Sequence, residues 1–419
     1  MREKRVKNEG ILMKQLRTFG LAGFAVFSAS FGFMMADTFL SLFARERLTI
    51  DLALIGSIIA IRHLAQVFLR VPIGALSDYV GRKKMILLGL FCYASALGIF
   101  VTTQHWTHLI LGILVHAIGM SNLYPAVFAL VGDCYPEEIG AGFGKFFMML
   151  DGGAFIAPII GGKLLSSERF GFSYKTLFAL DMMIVSVGFI VTLLFMKDSL
   201  PESHRMKYNS FIQLFRSNFQ KSFTRARSLI HSRSAFAANI AIFFLGFPMI
   251  LIGTFFPLLG DDRGLTKDNI GMIMGVRRFF PWIFYIPLGK ISDRYGSFIP
   301  TIITFMIIGL SLFTIPFIFS MLAYTVLLMA ISIAFGIGFP ALSKALLFRV
   351  PETDRGVALG TWGAFVAVGR TTASLVLGIL ASLYGLEATF ILTAGIQFLG
   401  AILFFRIFLP LRESSINVL

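Results

Sequence analysis

Long apolar runs alternate along the chain with short polar breaks. Runs of about 20 apolar residues are the length that carries an α-helix across a hydrocarbon core. Twelve are expected, at 18–44, 52–76, 85–103, 109–131, 146–165, 175–196, 235–258, 270–289, 299–318, 323–348, 357–381 and 387–409. Backbone amides and carbonyls in lipid must pair within their own segment, so each run reads as a helix. The two-residue alternation of an outer-membrane barrel is missing. The expected fold is an all-α membrane protein with twelve transmembrane helices.

Composition excludes a soluble chain. Of 419 residues 57% are hydrophobic, 47 are Phe and 14% are charged, and the mean hydropathy is +0.82. A water-soluble protein of this size needs far more polar surface. The net charge of +15 raises the question of nucleic acid, but the bases sit where topology wants them. Arg2, Lys4, Arg5, Lys7, Lys14 and Arg17 precede or open the first run. Lys197, Arg205, Lys207, Arg216, Lys221, Arg225, Arg227 and Arg233 crowd the middle loop, and "GRKK" at 81–84 falls on the same side. The opposite loops hold few bases, such as Arg45, Arg47, Arg263 and Lys267. The positive-inside bias then makes both termini and the middle loop cytoplasmic. The partner of this basic surplus is the lipid bilayer with its anionic headgroups, and no nucleic acid is expected.

The basic start of the first run is like that of a signal peptide. The run is too long for one and its removal would spoil the even span count, so it is read as retained. Cys92 lies in the third span and Cys134 at a helix end, a placement that does not suit a disulfide. No zinc spacing, nucleotide-binding loop or HExxH is present, so neither a metal, a cofactor nor an enzyme is expected.

Two phrases repeat. "GALSDYVGRKK" starts at 74 and "GKISDRYG" at 289, an offset of 215. The same offset aligns Ile55-Gly56 with Ile270-Gly271, Arg62 with Arg277, Pro72 with Pro287, Pro125-Ala126 with Pro340-Ala341 and Pro136-Glu137 with Pro351-Glu352. The chain reads as two parallel, pseudo-symmetric six-helix bundles, 1–196 and 235–419, joined by a basic cytoplasmic linker at 197–234. Parallel halves related by an axis along the membrane normal are a transporter architecture.

The first phrase resembles the loop signature of the major facilitator superfamily, G-x-x-x-D-x-x-G-R-K/R-K/R, whose second copy is also typically weaker. The resemblance extends over the whole chain in span number, loop placement and repeat. It implies a secondary active transporter of a small solute, working by alternating access in the plasma (inner) membrane as a monomer. Protons or a counter-substrate would supply the coupling. It also implies a gate. Asp78, disfavoured by its own helix's C-terminal partial charge, would face the start of the eleventh span near Gly356. Asp293 would face the start of the fifth near Gly144. Gly74, Gly81, Gly289 and Gly296 would let backbones approach, and Arg82 would pair with Asp133. The competing reading is that "GRKK" serves only as a topology signal.

Charges inside the spans each cost about 2.5–3.5 kcal/mol near the bilayer centre on insertion scales and so ask for a reason. Arg62 and His63 fall in the second span, Arg277 and Arg278 in the eighth, Lys344 in the tenth and Arg370 in the eleventh. The acids are Asp37, Asp151 and Asp181. Arg62 and Arg277 are duplicated by the repeat and could grip an anion from both halves with bidentate guanidinium groups. Nitrate/nitrite porters of the superfamily are similar in carrying an arginine in both of these spans, but their runs of glycines in the fifth and eleventh are missing. The alternative is that Arg62 pairs with Asp37 and Arg277 with Asp151, holding the bundle together. Asp37 or Asp151 could carry a coupling proton, and His63 and His116 titrate near neutrality when unperturbed.

"GGAFIAPIIGG" at 152–162 resembles the fifth-span antiporter signature G-x-x-x-G-P-x-x-G-G, with Gly153, Pro158, Gly161 and Gly162 in place and Ala157 departing from it. That points to efflux. A second efflux hallmark, an arginine four residues before a glycine in the fourth span, is absent: Val115 precedes Gly119. Both an efflux-type and an organic- or inorganic-anion member are open readings. A polytopic enzyme or sensor is the rival from a different class, and the intramembrane acids and histidines lack the spacing it needs.

Overall fold

The computed structural model describes residues 2–135, 139–168, 171–199, 233–347 and 355–416, with side chains for most of these. The first six helices are α1 (Arg2–Leu48), α2 (Leu52–Val80), α3 (Arg82–Thr102), α4 (Trp106–Cys134), α5 (Ile139–Ser166) and α6 (Tyr174–Phe195). Next, α7 comprises Arg233–Ile250, a π-helical turn Leu251–Phe255 and Phe256–Asp262. After α8 (Lys267–Tyr295) come α9 (Phe298–Thr314), extended by a 3₁₀ turn Ile315–Phe317, and α10 (Met321–Leu347). The stretch Arg355–Ile416 turns at Gly385 (φ 82°, ψ 167°), and its two parts are α11 and α12. Among the described residues ten segments are long and apolar enough to cross a membrane. Gly385 divides the last of these, and α8 is a helix over the remaining expected run, which is consistent with twelve crossings. The fold is all-α, as the hydropathy pattern requires.

Helices run past the apolar runs. Hydropathy falls at Arg45, yet α1 continues to Leu48, because a helix stops where its backbone turns and not where its side chains become polar. The turn comes at Thr49, whose φ of 53° is the one positive value on a described residue other than glycine.

The positive-φ positions expose the repeat in the backbone. They are Thr49, Gly81, Gly171, Gly264, Gly296 and Gly385. Thr49 and Gly264 keep the offset of the two charged phrases, as do Gly81 and Gly296, while Gly171 and Gly385 miss it by a single position. Each pair breaks the chain after equivalent helices of the two halves.

Two compact units emerge from the contacts: residues 1–36 with 68–215, and residues 37–67 with 216–419. The boundary therefore falls inside α1 and α2. Their outer ends, meaning the ends away from Arg82–Lys84, group with the C-terminal helices. Within the first unit α3 packs on α4 and α6. Within the second, α7 packs on the Arg355–Ile416 stretch, α8 on α10, and α9 on α10 and the same stretch.

Lipid removes most of the hydrophobic drive between helices, so close backbone approach must hold them. A Cβ on Gly153 of α5 would lie 2.8 Å from the Phe27 carbonyl oxygen and 3.0 Å from the Phe31 nitrogen of α1. Beside it, Ser30 Oγ donates to the Leu150 carbonyl at 2.6 Å. In the second unit a Cβ on Gly369 of α11 would lie 2.5 Å from the Phe243 carbonyl oxygen, and one on Gly246 of α7 would lie 2.8 Å from the Gly369 carbonyl carbon. Gly246 stands at the repeat position of Phe31, and Gly369 at that of Ala154. The two crossings are the same crossing, built twice.

Candidate functional site

Asp37 and Arg62, both in the second unit, are joined: Arg62 Nη1 donates to Asp37 Oδ1 at 2.5 Å. The Arg62 side chain is 6% exposed and that of Asp37 20%. His63 and Gln66 are buried beside it on α2. Arg277 and Arg278 are half-buried on α8. Arg370, half-buried on α11, sets Nη2 3.4 Å from Met249 Sδ, two residues before the π turn of α7 begins. A π turn leaves the helix one residue wider and is common beside functional side chains. Lys344 of α10 is exposed.

In the first unit Asp151 is half-buried on α5. His116 is buried between aromatic rings, stacked on Phe33 at 4.3 Å and edge-on to Tyr93 at 4.7 Å. Asp181 is fully buried on α6. Neither Cys92 nor Cys134 forms a disulfide. Among the described residues no His, Cys, Asp and Glu side chains cluster as a metal site would require.

The inner ends of α3, α4 and α6 meet around Arg82. Its Nε lies 3.4 Å from Asp133 Oδ2. Ser199 Oγ donates to the same oxygen at 2.8 Å, and Lys83 Nζ donates to the Leu193 carbonyl at 2.8 Å. Gly81 has no side chain with which to cap α3. Asp198 takes that role from beyond α6, accepting the Arg82 backbone N–H at 3.1 Å. An acid at a helix N-terminus satisfies an orphan donor and complements the helix dipole. Asp198 and Ser199 carry nothing in the sequence that marks them. The side chains of Gly74, Asp78, Gly289 and Asp293 lie outside the described residues, as do those of Arg355–Gly360, where Gly356 sits.

A second network, missed in the sequence, closes the outer end of the second unit. Arg45 at the end of α1 donates to Asp261 Oδ2 and Asp262 Oδ1, each at 2.7 Å. Lys267 opens α8 and reaches Asp261 and Glu46, each at 2.5 Å. Nearby, Arg263 donates to the Pro316 and Ile318 carbonyls at 2.7 and 2.9 Å, to Tyr324 Oη at 3.2 Å and to Glu387 at 2.5 Å. Its guanidinium also covers the Phe319 ring at 4.2 Å. The signal was there to find: Glu46 and Asp261 occupy equivalent positions of the repeat, so "ARER" and "GDDR" end equivalent helices with complementary charges.

The antiporter-like segment lies on α5. Gly153, Pro158, Gly161 and Gly162 are all buried, and Pro158 sits inside the helix. Of the four, Gly153 makes the crossing with α1 described above.

A family model described as Major Facilitator Superfamily matches residues 22–251 and 238–417. The chain belongs to that superfamily. The Major Facilitator Superfamily relatives include Multidrug resistance protein MdtG of Proteus mirabilis, 27% identical over 345 residues, covering 78% of this chain and 79% of that protein. An uncharacterized MFS-type transporter of Methanocaldococcus jannaschii is 22% identical over 340 residues, covering 79% and 83%. Among solved structures, a POT family transporter in complex with 5-aminolevulinic acid superposes with a TM-score of 0.76 at 18% identity, covering 94% of this chain and 96% of that one. At that identity the superposition speaks for fold alone. As a superfamily member the chain is a multi-pass transporter of small-molecule substrates.

Proposed function

We propose that the chain is an exporter of small amphipathic solutes, driven by exchange for protons or a counter-substrate through alternating access. One observation carries the direction of transport. The antiporter-like segment of α5 sets Gly153 directly against the backbone of α1, and relatives such as the P. mirabilis protein bear the description multidrug resistance. A helix thinned by glycine and softened by Pro158 can roll on its neighbour without side chains to unlock.

In this reading the chain is a monomer in the plasma membrane with both termini cytoplasmic. The 1–196 and 235–419 bundles rock about a midplane site, joined by the 197–234 linker. The inner cluster around Arg82 and Asp133 holds the cytoplasmic side with Asp78 and Asp293, and the outer cluster around Arg45 holds the other. Asp37, Asp151, His63, Arg277, Arg278 and Arg370 form the pool from which solute and coupling groups are drawn. Direct anion capture by an Arg62/Arg277 pair is the weaker reading. The Arg62 guanidinium already serves Asp37, and a carboxylate arriving from solution would have to displace it.

Everted membrane vesicles containing the protein test this. Ethidium should be taken up when a proton gradient is imposed and released when the gradient is collapsed. Uptake equal to that of vesicles without the protein, across a panel of amphipathic dyes, would end the exporter reading. Uptake of inorganic or organic anions that is lost in both Arg62→Lys and Arg277→Lys would replace it with the anion reading.

A further inference from the structure

Asp181 sits two turns inside the outer end of α6 and is completely buried. Neither carboxyl oxygen has a hydrogen-bond partner among the described residues. Its surroundings are apolar or small. Gly32 of α1 is placed so that a Cβ would meet Val185 Cγ2 at 2.6 Å, the Asp181 carbonyl oxygen at 3.3 Å and Leu97 Cδ1 at 3.6 Å. One turn away the Phe178 ring packs on Phe100 of α3 at 5.8 Å.

The ionisable side chains on the helices packed around it are few. Along their membrane-spanning parts they are Asp37 on α1, Cys92 and Tyr93 on α3, Asp151 and Lys163 on α5, and Tyr174 and Lys175 on α6 itself. Arg17 and Lys145 lie toward the inner ends of α1 and α5, and Arg45, Glu46 and Arg47 at the outer tip of α1. The basic start of α3 lies at the opposite, inner end. Among the described residues no cation forms an ion pair with Asp181, and no donor reaches it. An ionised carboxylate without donors in apolar surroundings is the costliest form that this side chain can take. The neutral acid is the form that the site accommodates.

We propose that Asp181 is a proton-binding site, loaded in the conformation described here and emptied when α1 moves away from α6. The proposal rests on the exporter reading for its purpose, since it supplies the group that exchanges the proton. On release the O–H bond breaks, the carboxylate keeps the electron pair and the proton passes to admitted water that leads to the cytoplasmic side, the direction in which exchange for an exported solute moves protons. The position on α1 gives the site its leverage. Gly32 lies four residues before the point where α1 leaves the first compact unit for the second. Any displacement of the outer segment of α1 is therefore transmitted along one continuous helix to the contact that keeps Asp181 dry.

Infrared difference spectroscopy on reconstituted protein, without solute, reads the proton directly. At neutral pH the wild type should show a carbonyl stretch of a water-poor protonated carboxyl group that fades as the pH is raised. Asp181→Asn should lack the band and Asp37→Asn should retain it. Should Asp181→Asn fail to insert, Asp181→Glu should keep the band at a shifted frequency. A band unaffected by Asp181→Asn, or one that stays constant at every pH at which the protein remains folded, overturns the proposal. No transport is needed for this measurement, so failure of the exporter reading in the ethidium assay leaves its outcome separately legible.

Discussion

Arg45 holds Asp261 and Asp262 in a two-pronged grip, each contact at 2.7 Å, and so ties the end of the first helix to the end of the seventh. The two helix ends are repeat-equivalents that carry opposite charge. Lys267 adds a second cation on Asp261 and reaches across to Glu46.

In the alternating-access reading proposed above, the grip sets a preference between conformations more than it sets stability. The Arg45 and Asp261 side chains are 24% and 27% exposed, so each contact is worth about 0.5–1 kcal/mol after screening. Losing about 1 kcal/mol changes a two-state ratio roughly fivefold. Arg45→Asp should raise labelling of a cysteine placed at the outer end by about that factor and lower transport. The swap Arg45→Asp with Asp261→Arg should recover part of both, and equal labelling in all three proteins would remove the gating role.

Asp37 and Arg62 should behave as a unit. Asp37→Asn removes the carboxylate that the buried Arg62 guanidinium meets at 2.5 Å, and breaking a buried pair from one side costs about 3–5 kcal/mol. Asp37→Asn with Arg62→Gln should cost clearly less than the sum of the single changes in thermal unfolding of the detergent-solubilised protein. Simple additivity would mean that the pair does not act together.

Arg263→Ala should be the most damaging change at the outer surface. One guanidinium serves two carbonyls, a hydroxyl and a carboxylate, and it fastens the α7–α8 loop to the ends of α9 and the start of α12. Its side chain is 7% exposed, so these bonds are sheltered and their loss should cost about 3 kcal/mol. Arg263→Lys should recover little, because an ammonium lacks the planar fork. Full rescue by lysine in a melting experiment would count against that account.

Gly152 and Gly153 make a matched pair. A Cβ on Gly152 meets only Phe27 Cε2 at 3.9 Å, whereas one on Gly153 strikes the α1 backbone at 2.8 Å. Gly152→Ala should leave expression and transport near wild type. Gly153→Ala should reduce transport at least tenfold or prevent accumulation, a loss of about 1.4 kcal/mol or more. Transport counts with a dye substrate would separate the two.

Thr49 is strained where its repeat partner is glycine. A β-branched residue at φ 53° costs about 1–2 kcal/mol relative to its relaxed backbone. Thr49→Gly should raise the melting temperature, and Gly264→Thr should lower it. A lowered melting temperature for Thr49→Gly would show that the hydroxyl, which donates to the Leu48 carbonyl at 2.8 Å, outweighs the strain.

Which features could be read from the chain follows from what each depends on. Crossings depend on local hydropathy, and the repeat depends on residue identity at a fixed offset, so Arg62/Arg277 and Gly81/Gly296 were visible without coordinates. The α7–α11 crossing at Gly246 and Gly369 escaped, because its counterpart on α1 is Phe31 and a glycine search does not pair the two. Asp261 and Asp262 escaped for a different reason. Loop charge was weighed by side of the membrane, which counts bases and passes over acids, whereas the pairing depends on which helix ends are neighbours. Asp181 was visible as an intramembrane acid, but its lack of partners is a property of packing alone.

The division of α1 between two compact units has a consequence for synthesis. Arg45 leaves the ribosome 216 residues ahead of Asp261. At about 5–20 residues per second, the interval is roughly 10–40 s. For that time the tips of α1 and α2 stand in the membrane interface with their final partners still unmade.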